Sequence, residues 1–311
     1  MQYFVKMVRL LLFLWIGAGM SAAHAADPDK VLHYVFTAAE TGFDPAVAHD
    51  LYSAQVISSI YETLYTYDYL ARPVRLVPLT ASAMPHISHD GKTYTITLKK
   101  GIYFADDPAF GGKKRELTAD DYIYSFKRLR DPRVRSAWSW LLEGKIAGLD
   151  DVAAKAAKTR RFDYAHPVAG LERVDRYTFR IHLNRPDYNL LHILAHFPTG
   201  AVAREVVEKY SGDSAQIMTN PVGTGPYRLT QWQRGSKIVL DANPDYRGFI
   251  WQFEASADPD DRKIITDMQG KRMPQIGRVV IDVIPEDQSR WLAFQNREID
   301  LFSLEGPLAP K

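Results

Sequence analysis

Apolar positions recur along the chain in two rhythms, one of about two residues and one of three to four, and these predict its elements. Val31 to Thr37 reads as a strand, and Phe43-Asp44-Pro45 then turns the chain, because proline fixes φ and removes a backbone donor. Val56, Ile57, Ile60, Tyr61 and Leu64 fall on one helical face. In Tyr94-Thr95-Ile96-Thr97-Leu98 apolar and hydroxyl side chains alternate strictly, and the preceding Asp90-Gly91 is a hairpin-turn dipeptide. Thr118 followed by Ala119-Asp120-Asp121 starts a helix with acids in its first turn, and Tyr122, Phe126 and Leu129 supply its buried stripe.

Further along, the Ala-rich, basic stretch Ala153 to Arg161 reads as a surface helix ended by the breakers Pro167 and Gly170. Tyr177, Phe179, Ile181 and Leu183 alternate with Thr178, Arg180 and His182 in a second half-buried strand. Leu190 to His196 and Ala203 to Tyr210 are short helical stretches. Pro221-Val222-Gly223-Thr224-Gly225-Pro226-Tyr227 is a loop, since its glycines and prolines cannot continue a helix or a central strand. Lys237 to Asp241 and Arg278 to Ile284 are β-rich runs flanking a polar insertion, Phe253 to Pro274. A helix near Gln288 to Asn296 and a short strand at Ile299 to Phe302 follow. Strands interspersed with helices, without an internal repeat, define an α/β chain.

The N-terminus has a different pattern. Lys6 and Arg9 precede the apolar run Leu10 to Ala18, which gives way to Ala23-His24-Ala25. That is the three-part layout of a secretory signal, too short to span a bilayer, with the small residues a signal peptidase needs. Residues 1–25 are expected to be a signal peptide cleaved after Ala25. Loss of Lys6 and Arg9 would leave 37 basic and 37 acidic residues from the 39 and 37 of the whole chain. Such a balance argues against nucleic acid as a partner. The chain has no cysteine, which excludes disulfides, thiolate metal ligands and a thiol nucleophile. Export without cysteine suits the bacterial periplasm.

Known catalytic signatures are absent: no Gly-rich dinucleotide fingerprint, no phosphate loop, no His-Glu-x-x-His and no G-x-S-x-G elbow. No cofactor is expected. His192 and His196 are spaced four apart as a metal pair would be, but no acid or third histidine lies nearby in sequence, and no metal site is assigned. His86 and His89 fall in a turn region and read as solvated. Asp120-Asp121 suits a helix N-terminus and Asp258 to Asp261 a surface loop. Trp138 and Trp140, beside polar residues, are candidates to line a ligand cleft.

Several runs together resemble a known family. Phe43-Asp44-Pro45, Ile60-Tyr61-Glu62-Thr63-Leu64 and Pro78-Leu79-Thr80-Ala81-Ser82 resemble the opening of the family 5 extracellular solute-binding proteins of ABC importers, which include dipeptide-, oligopeptide- and nickel-binding proteins. The run from His89-Asp90-Gly91-Lys92 through Lys99-Lys100-Gly101-Ile102-Tyr103-Phe104 is similar to the family's most specific signature. Leu117-Thr118-Ala119-Asp120-Asp121-Tyr122 and Phe126-Lys127-Arg128-Leu129 continue it. Pro221 to Tyr227, Asn243-Pro244-Asp245-Tyr246 and Arg297-Glu298-Ile299-Asp300 follow in the family's order.

Three departures accompany the resemblance. Ala105 to Glu116 enlarges a rim loop, and Arg247 stands where an aromatic residue usually follows the tyrosine of Asn-Pro-Asp-Tyr. Relatives also continue well beyond the Glu-x-Asp element into a second lobe, which the resemblance leads us to expect is missing here.

The resemblance implies a type II periplasmic binding protein, here its first lobe with an inserted α/β subdomain and the second lobe missing. The main subdomain is expected over 27–61 and 204–311 and the inserted one over 62–203. A ligand bridging two lobes would shift an open–closed population toward the form a membrane permease accepts, without chemistry on the ligand. The implied partners are a small solute such as a peptide, an ABC permease and, if encoded separately, the second lobe. Aligned with the family's ligand-contacting turn, His49, Asp50 and Leu51 fall at the cleft, and Trp138 follows Asp131-Pro132 as the aromatic contact. The same residues have a bland alternative, in which His49 and Asp50 start a helix and Trp138 packs between subdomains. Three functions compete: a solute receptor, a periplasmic enzyme, and a non-binding remnant or split fragment of a receptor. Peptide, nickel complex, haem, opine and sugar conjugate remain open as ligands.

Overall fold

The computed structural model describes residues 26–254 and 258–303, so the expected signal segment lies outside the described residues. Strand β1 (Asp27–Phe36) enters the core only at Val35 and Phe36. After the Asp44-Pro45 turn comes helix α1 (Leu51–Ile60). It ends at Ile60, four residues before the spacing of its apolar positions suggests, and Leu64 is buried just outside it. The short hairpin β2 (Tyr65–Tyr67) and β3 (Leu76–Pro78) follows.

Strands β4 (His86–Ile87) and β5 (Thr93–Thr97) form the hairpin announced by Asp90-Gly91. There the Asp90 carboxylate accepts from the Ser88 hydroxyl and the Lys92 N–H, and Gly91 takes φ +68°. Helix α2 (Ala119–Leu129) carries the expected N-cap, in which Thr118 and Asp121 form a capping box. Its buried surface is wider than the predicted stripe: every residue except Asp120 is buried, Lys127 and Arg128 included. Helix α3 (Leu149–Thr159) is the Ala-rich surface helix, with Leu149 and Ala156 buried.

Strand β6 (Leu171–Arg173), strand β7 (Thr178–His182) and helices α4 (Leu190–Ile193) and α5 (Arg204–Tyr210) precede the glycine-proline loop. Beyond it run β8 (Tyr227–Gln233), β9 (Lys237–Ala242), β10 (Phe249–Ile250), α6 (Pro259–Met268), β11 (Arg272–Met273), β12 (Ile276–Val283) and α7 (Asp287–Gln295).

Two four-stranded sheets organise these elements. The first has the order β1-β12-β9-β8, with β1 parallel to β12 and the remaining pairs antiparallel. The second, β4-β5-β7-β6, is antiparallel and drawn entirely from residues 86–182. Its register sets Tyr94 opposite Ile181 and Ile96 opposite Phe179, all four buried, while the intervening threonines face outward. Tyr122 and Phe126 of α2 pack on Phe179, with ring centroids 6.2 and 6.3 Å away. One apolar core runs from Phe36 and Ile281 of the first sheet through α1 and α2 to the second.

Two further expectations need correction. Ile299 to Phe302 is not a strand; the segment passes beside β1, where Asp300 N–H donates to the His33 carbonyl and its carboxylate accepts from the His33 N–H. Asp258 to Asp261 is not a surface loop but the start of α6: Asp258 caps it, and Asp261 is buried against Arg72. Asp258, Pro259 and Asp260 remain exposed as expected, while the Asp261 carboxylate is spent on an ion pair rather than on water.

Candidate functional site

The motifs that carry the resemblance meet one another across the fold. Asp44 of Phe43-Asp44-Pro45 holds Arg128 of α2 in a two-point ion pair, fully buried, and also accepts from the N–H groups of Ala46 and Ile217. Arg128 donates again to the Ala215 carbonyl.

Around the end of α1, Glu62 is gripped by the Arg247 guanidinium at 2.7 and 2.8 Å, and Thr224 of the glycine-proline loop donates to the same carboxylate. Gly225 N–H donates to the Ile60 carbonyl, and Asn243 donates to the Gly225 carbonyl. Close approach explains the loop's glycines: a Cβ on Gly223 would lie 2.0 Å from the Ile60 oxygen. Arg115 of the enlarged loop donates to Asp121 and to Glu205 of α5, tying α2 to α5. These residues build a frame, and nearly all of their charged groups are paired within it, although the buried Arg128 Nε makes no hydrogen bond among the described residues.

The frame presents a different set of side chains to the outside. Asp50 is the N-cap of α1: its Oδ1 accepts from the Ser53 N–H at 2.8 Å and its Oδ2 from the Thr41 hydroxyl at 2.6 Å. Partial burial pushes this carboxyl's pKa up, but the hydrogen bonds from Ser53 and Thr41 prevail and hold it below the ordinary value. With both oxygens occupied, Asp50 positions the turn. His49 is exposed beside it, and Leu51 is 65% exposed at the first helical position.

Trp138, remote in sequence, arrives at the same place. Its indole N–H donates to the Ala48 carbonyl at 2.7 Å. The ring meets His196 and Phe197 edge-on, at centroid distances of 4.9 and 5.3 Å, and Trp140 lies 6.5 Å away with 60% of its surface exposed. The structure thus seats Trp138 on Ala48, the residue immediately before the His49-Asp50-Leu51 turn that the resemblance singled out with it. It adds Trp140, which the sequence had flagged, and His196, which the sequence had set beside His192 instead.

Those two histidines diverge. His192 stacks on Tyr67 and is hydrogen-bonded to its hydroxyl, whereas His196, beyond the end of α4, packs on Trp138. Among the described residues no group of three or more histidines and acids is placed to hold a metal ion. His86 and His89 are exposed.

An α/β lobe that spends its motif residues on internal struts and turns an aromatic face outward has the construction of a solute-binding protein, and solved structures share its fold. One is the ABC transporter-associated periplasmic binding protein DppA from Helicobacter pylori in complex with the peptide STSA, with TM-score 0.64 and 26% identity over 86% of this chain and 45% of that one. Another is an oligopeptide ABC transporter substrate-binding domain from Bacillus anthracis, with TM-score 0.69 and 19% identity over 91% of this chain and 47% of that one.

The family model of the bacterial extracellular solute-binding proteins, family 5, matches residues 75–310, and the chain belongs to that family. Relatives include di/tripeptide-binding protein 2 of Pseudomonas aeruginosa, 28% identical over 75% of this chain and 41% of the relative. The glutathione-binding protein GsiB of Salmonella choleraesuis is 27% identical over 95% of this chain and 51% of the relative. The chain spans about half the length of these curated relatives. The family consists of binding proteins, not enzymes.

Proposed function

We propose that this chain is the solute-receptor component of a bacterial ABC importer, taking short peptides, exported to the periplasm with cleavage after Ala25. Its ligand lies along the face formed by His49, Asp50, Leu51 and Trp138. In this reading the lobe is organised as residues 27–61 with 204–311 and an inserted part, 62–203. A membrane permease is its partner, and a second wall supplied by further polypeptide closes over the ligand.

The observation that carries the reading is the Trp138 to Ala48 hydrogen bond, which fixes an aromatic ring beside a turn whose next backbone groups are open. Among the described residues, the N–H and C=O of His49 make no hydrogen bond within the chain. A peptide main chain could pair with them as an added strand does, leaving its side chains to the tolerant apolar surface of Leu51 and Trp140. Relatives named for dipeptides, tripeptides and glutathione support that ligand class.

The test is a titration of the mature chain with tripeptides, followed by amide and indole chemical shifts. Saturable shifts at residues 49–51 and at the Trp138 and Trp140 indoles are expected, with weak affinity, because a single open wall leaves the ligand hydrated. Shifts confined to other surfaces would remove the assignment.

A further inference from the structure

We propose that a cavity of about 730 Å³ beside α2 is a second ligand site that takes a small carboxylate with an apolar body, with Lys127 as its charge partner. None of His49, Asp50, Leu51, Trp138 or Trp140 lines this cavity, so the site is separate from the proposed peptide face.

The inference rests on how the charges of the wall are paired. Arg115 joins Asp121 and Glu205, Arg173 joins Asp120, Arg204 joins Glu208, and Glu172 joins Arg180. Lys127 differs. Its side chain is in the wall, the residue is only 7% exposed, and its ammonium donates to two neutral acceptors, the carbonyls of Tyr164 and His166, each at 2.9 Å.

An ammonium has three protons to donate, and among the described residues the third has no partner. Among the described residues no carboxylate lies within ion-pair distance of it; the acids of Asp163 and Asp120 act on it from farther away, and Arg204 opposes them. A buried cation whose direct contacts are neutral dipoles alone is an unfavourable arrangement, which an anion accepting the third hydrogen bond would relieve. Burial also lowers the lysine's pKa, in keeping with a charge short of compensation.

The remaining lining defines the rest of the ligand. Tyr124 and Tyr164, with centroids 4.7 Å apart, and Val168 and Leu171 provide apolar and aromatic wall. The volume falls in the range that holds small organic molecules. The carboxylates of Glu205 and Glu208 already have arginine partners and do not compete for the lysine.

Titration of the mature chain with 3-phenylpropionate, its uncharged amide and glycyl-phenylalanine tests the site by calorimetry. The acid is expected to bind saturably and the amide about tenfold more weakly, or about 1.4 kcal/mol. Lys127→Met should erase that preference and Lys127→Arg should retain it. If the dipeptide binds as tightly as the acid, the natural carboxylate is a peptide C-terminus; if only the acid binds, it is a free carboxylic acid. Should Lys127→Met fail to fold, shifts of Tyr124, Val168 and the Lys127 ammonium in the unaltered chain decide. Equal affinity for acid and amide, no saturable binding at millimolar concentration, or shifts mapping to the Trp138 face would each overturn the proposal. Because acid and tripeptide shifts are read at different residues, failure here leaves the proposed receptor function standing or falling on its own titration.

Discussion

Arg128 and Asp44, far apart in sequence, face each other in a two-point ion pair that water does not reach, with Nη2 at 2.8 Å from Oδ2 and Nη1 at 3.2 Å from Oδ1. The pair joins the first turn of the chain to the last turn of α2, and through the Ile217 N–H and the Ala215 carbonyl it also pins the segment that follows α5. Breaking a buried pair from one side leaves the other charge without compensation, at about 3–5 kcal/mol. Arg128→Met and Asp44→Asn are each expected to lower stability by that order. The double variant should lose less than the sum, since no lone charge remains. Urea denaturation of the three variants measures the coupling, and strictly additive losses would show that the two residues act independently.

What the sequence revealed and what it hid divide along the same line, local against distant. Strands β5 and β7 were legible because alternation over five residues suffices, and the start of α2 because Thr118 and Asp121 cap it within one turn. The end of α1 was not legible, because the loop of Gly223 and Gly225 that packs on the Ile60 carbonyl lies more than 160 residues on. Strand β8 escaped notice as an exposed edge strand whose register shifts between Leu229 and Gln231, so its alternation is broken. Asp261 read as part of a surface loop, because burial of a charge depends on a partner that spacing does not disclose. At the candidate site, His49, Asp50, Leu51 and Trp138 were reached through motif alignment, while His196 was not, since only the tertiary fold lays it against Trp138.

Arg247 is where this chain departs from the family's usual aromatic residue, and its fork on Glu62 explains how the departure is accommodated. Arg247→Phe would leave a 3%-exposed carboxylate with the Thr224 hydroxyl but without its cation. The expected loss is about 2 kcal/mol. Adding Glu62→Gln should restore part of it, because a neutral amide no longer needs a counter-charge. Thermal or urea unfolding checks both steps, and a double variant no more stable than Arg247→Phe alone would contradict the account.

Trp138→Phe keeps an aromatic ring against His196 and Phe197 but removes the donor to the Ala48 carbonyl, whose residue is 1% exposed. An unsatisfied buried carbonyl costs about 1–2 kcal/mol, so a loss of that size in unfolding free energy is expected. Peptide-induced shifts at residues 49–51 should weaken along with it if the ring holds the turn in place. Unchanged stability and unchanged shifts together would mean that the hydrogen bond contributes nothing to either.

His196 ties the candidate face to pH. Its ring packs edge-on against Trp138, and among the described residues its buried Nδ1 has no hydrogen-bond partner. Burial holds its pKa below the ordinary value of about 6.5, because the imidazolium would have to surrender its hydration. In the unfolded chain the same ring takes up a proton near its ordinary pKa. As pH falls from about 6.5 toward the lower native value, the unfolded state therefore binds more protons than the native one, and stability declines with pH. Above about 6.5 both states are neutral at this residue and the stability is fully present. His196→Phe removes the titration while keeping an aromatic ring of similar shape, so its urea midpoint should decline less steeply than the parent's below pH 6.5. Both proteins retain the exposed histidines, and the difference between the two curves isolates His196. Parallel curves down to pH 5 would show that this imidazole already takes up its proton in the folded state as freely as in the unfolded one.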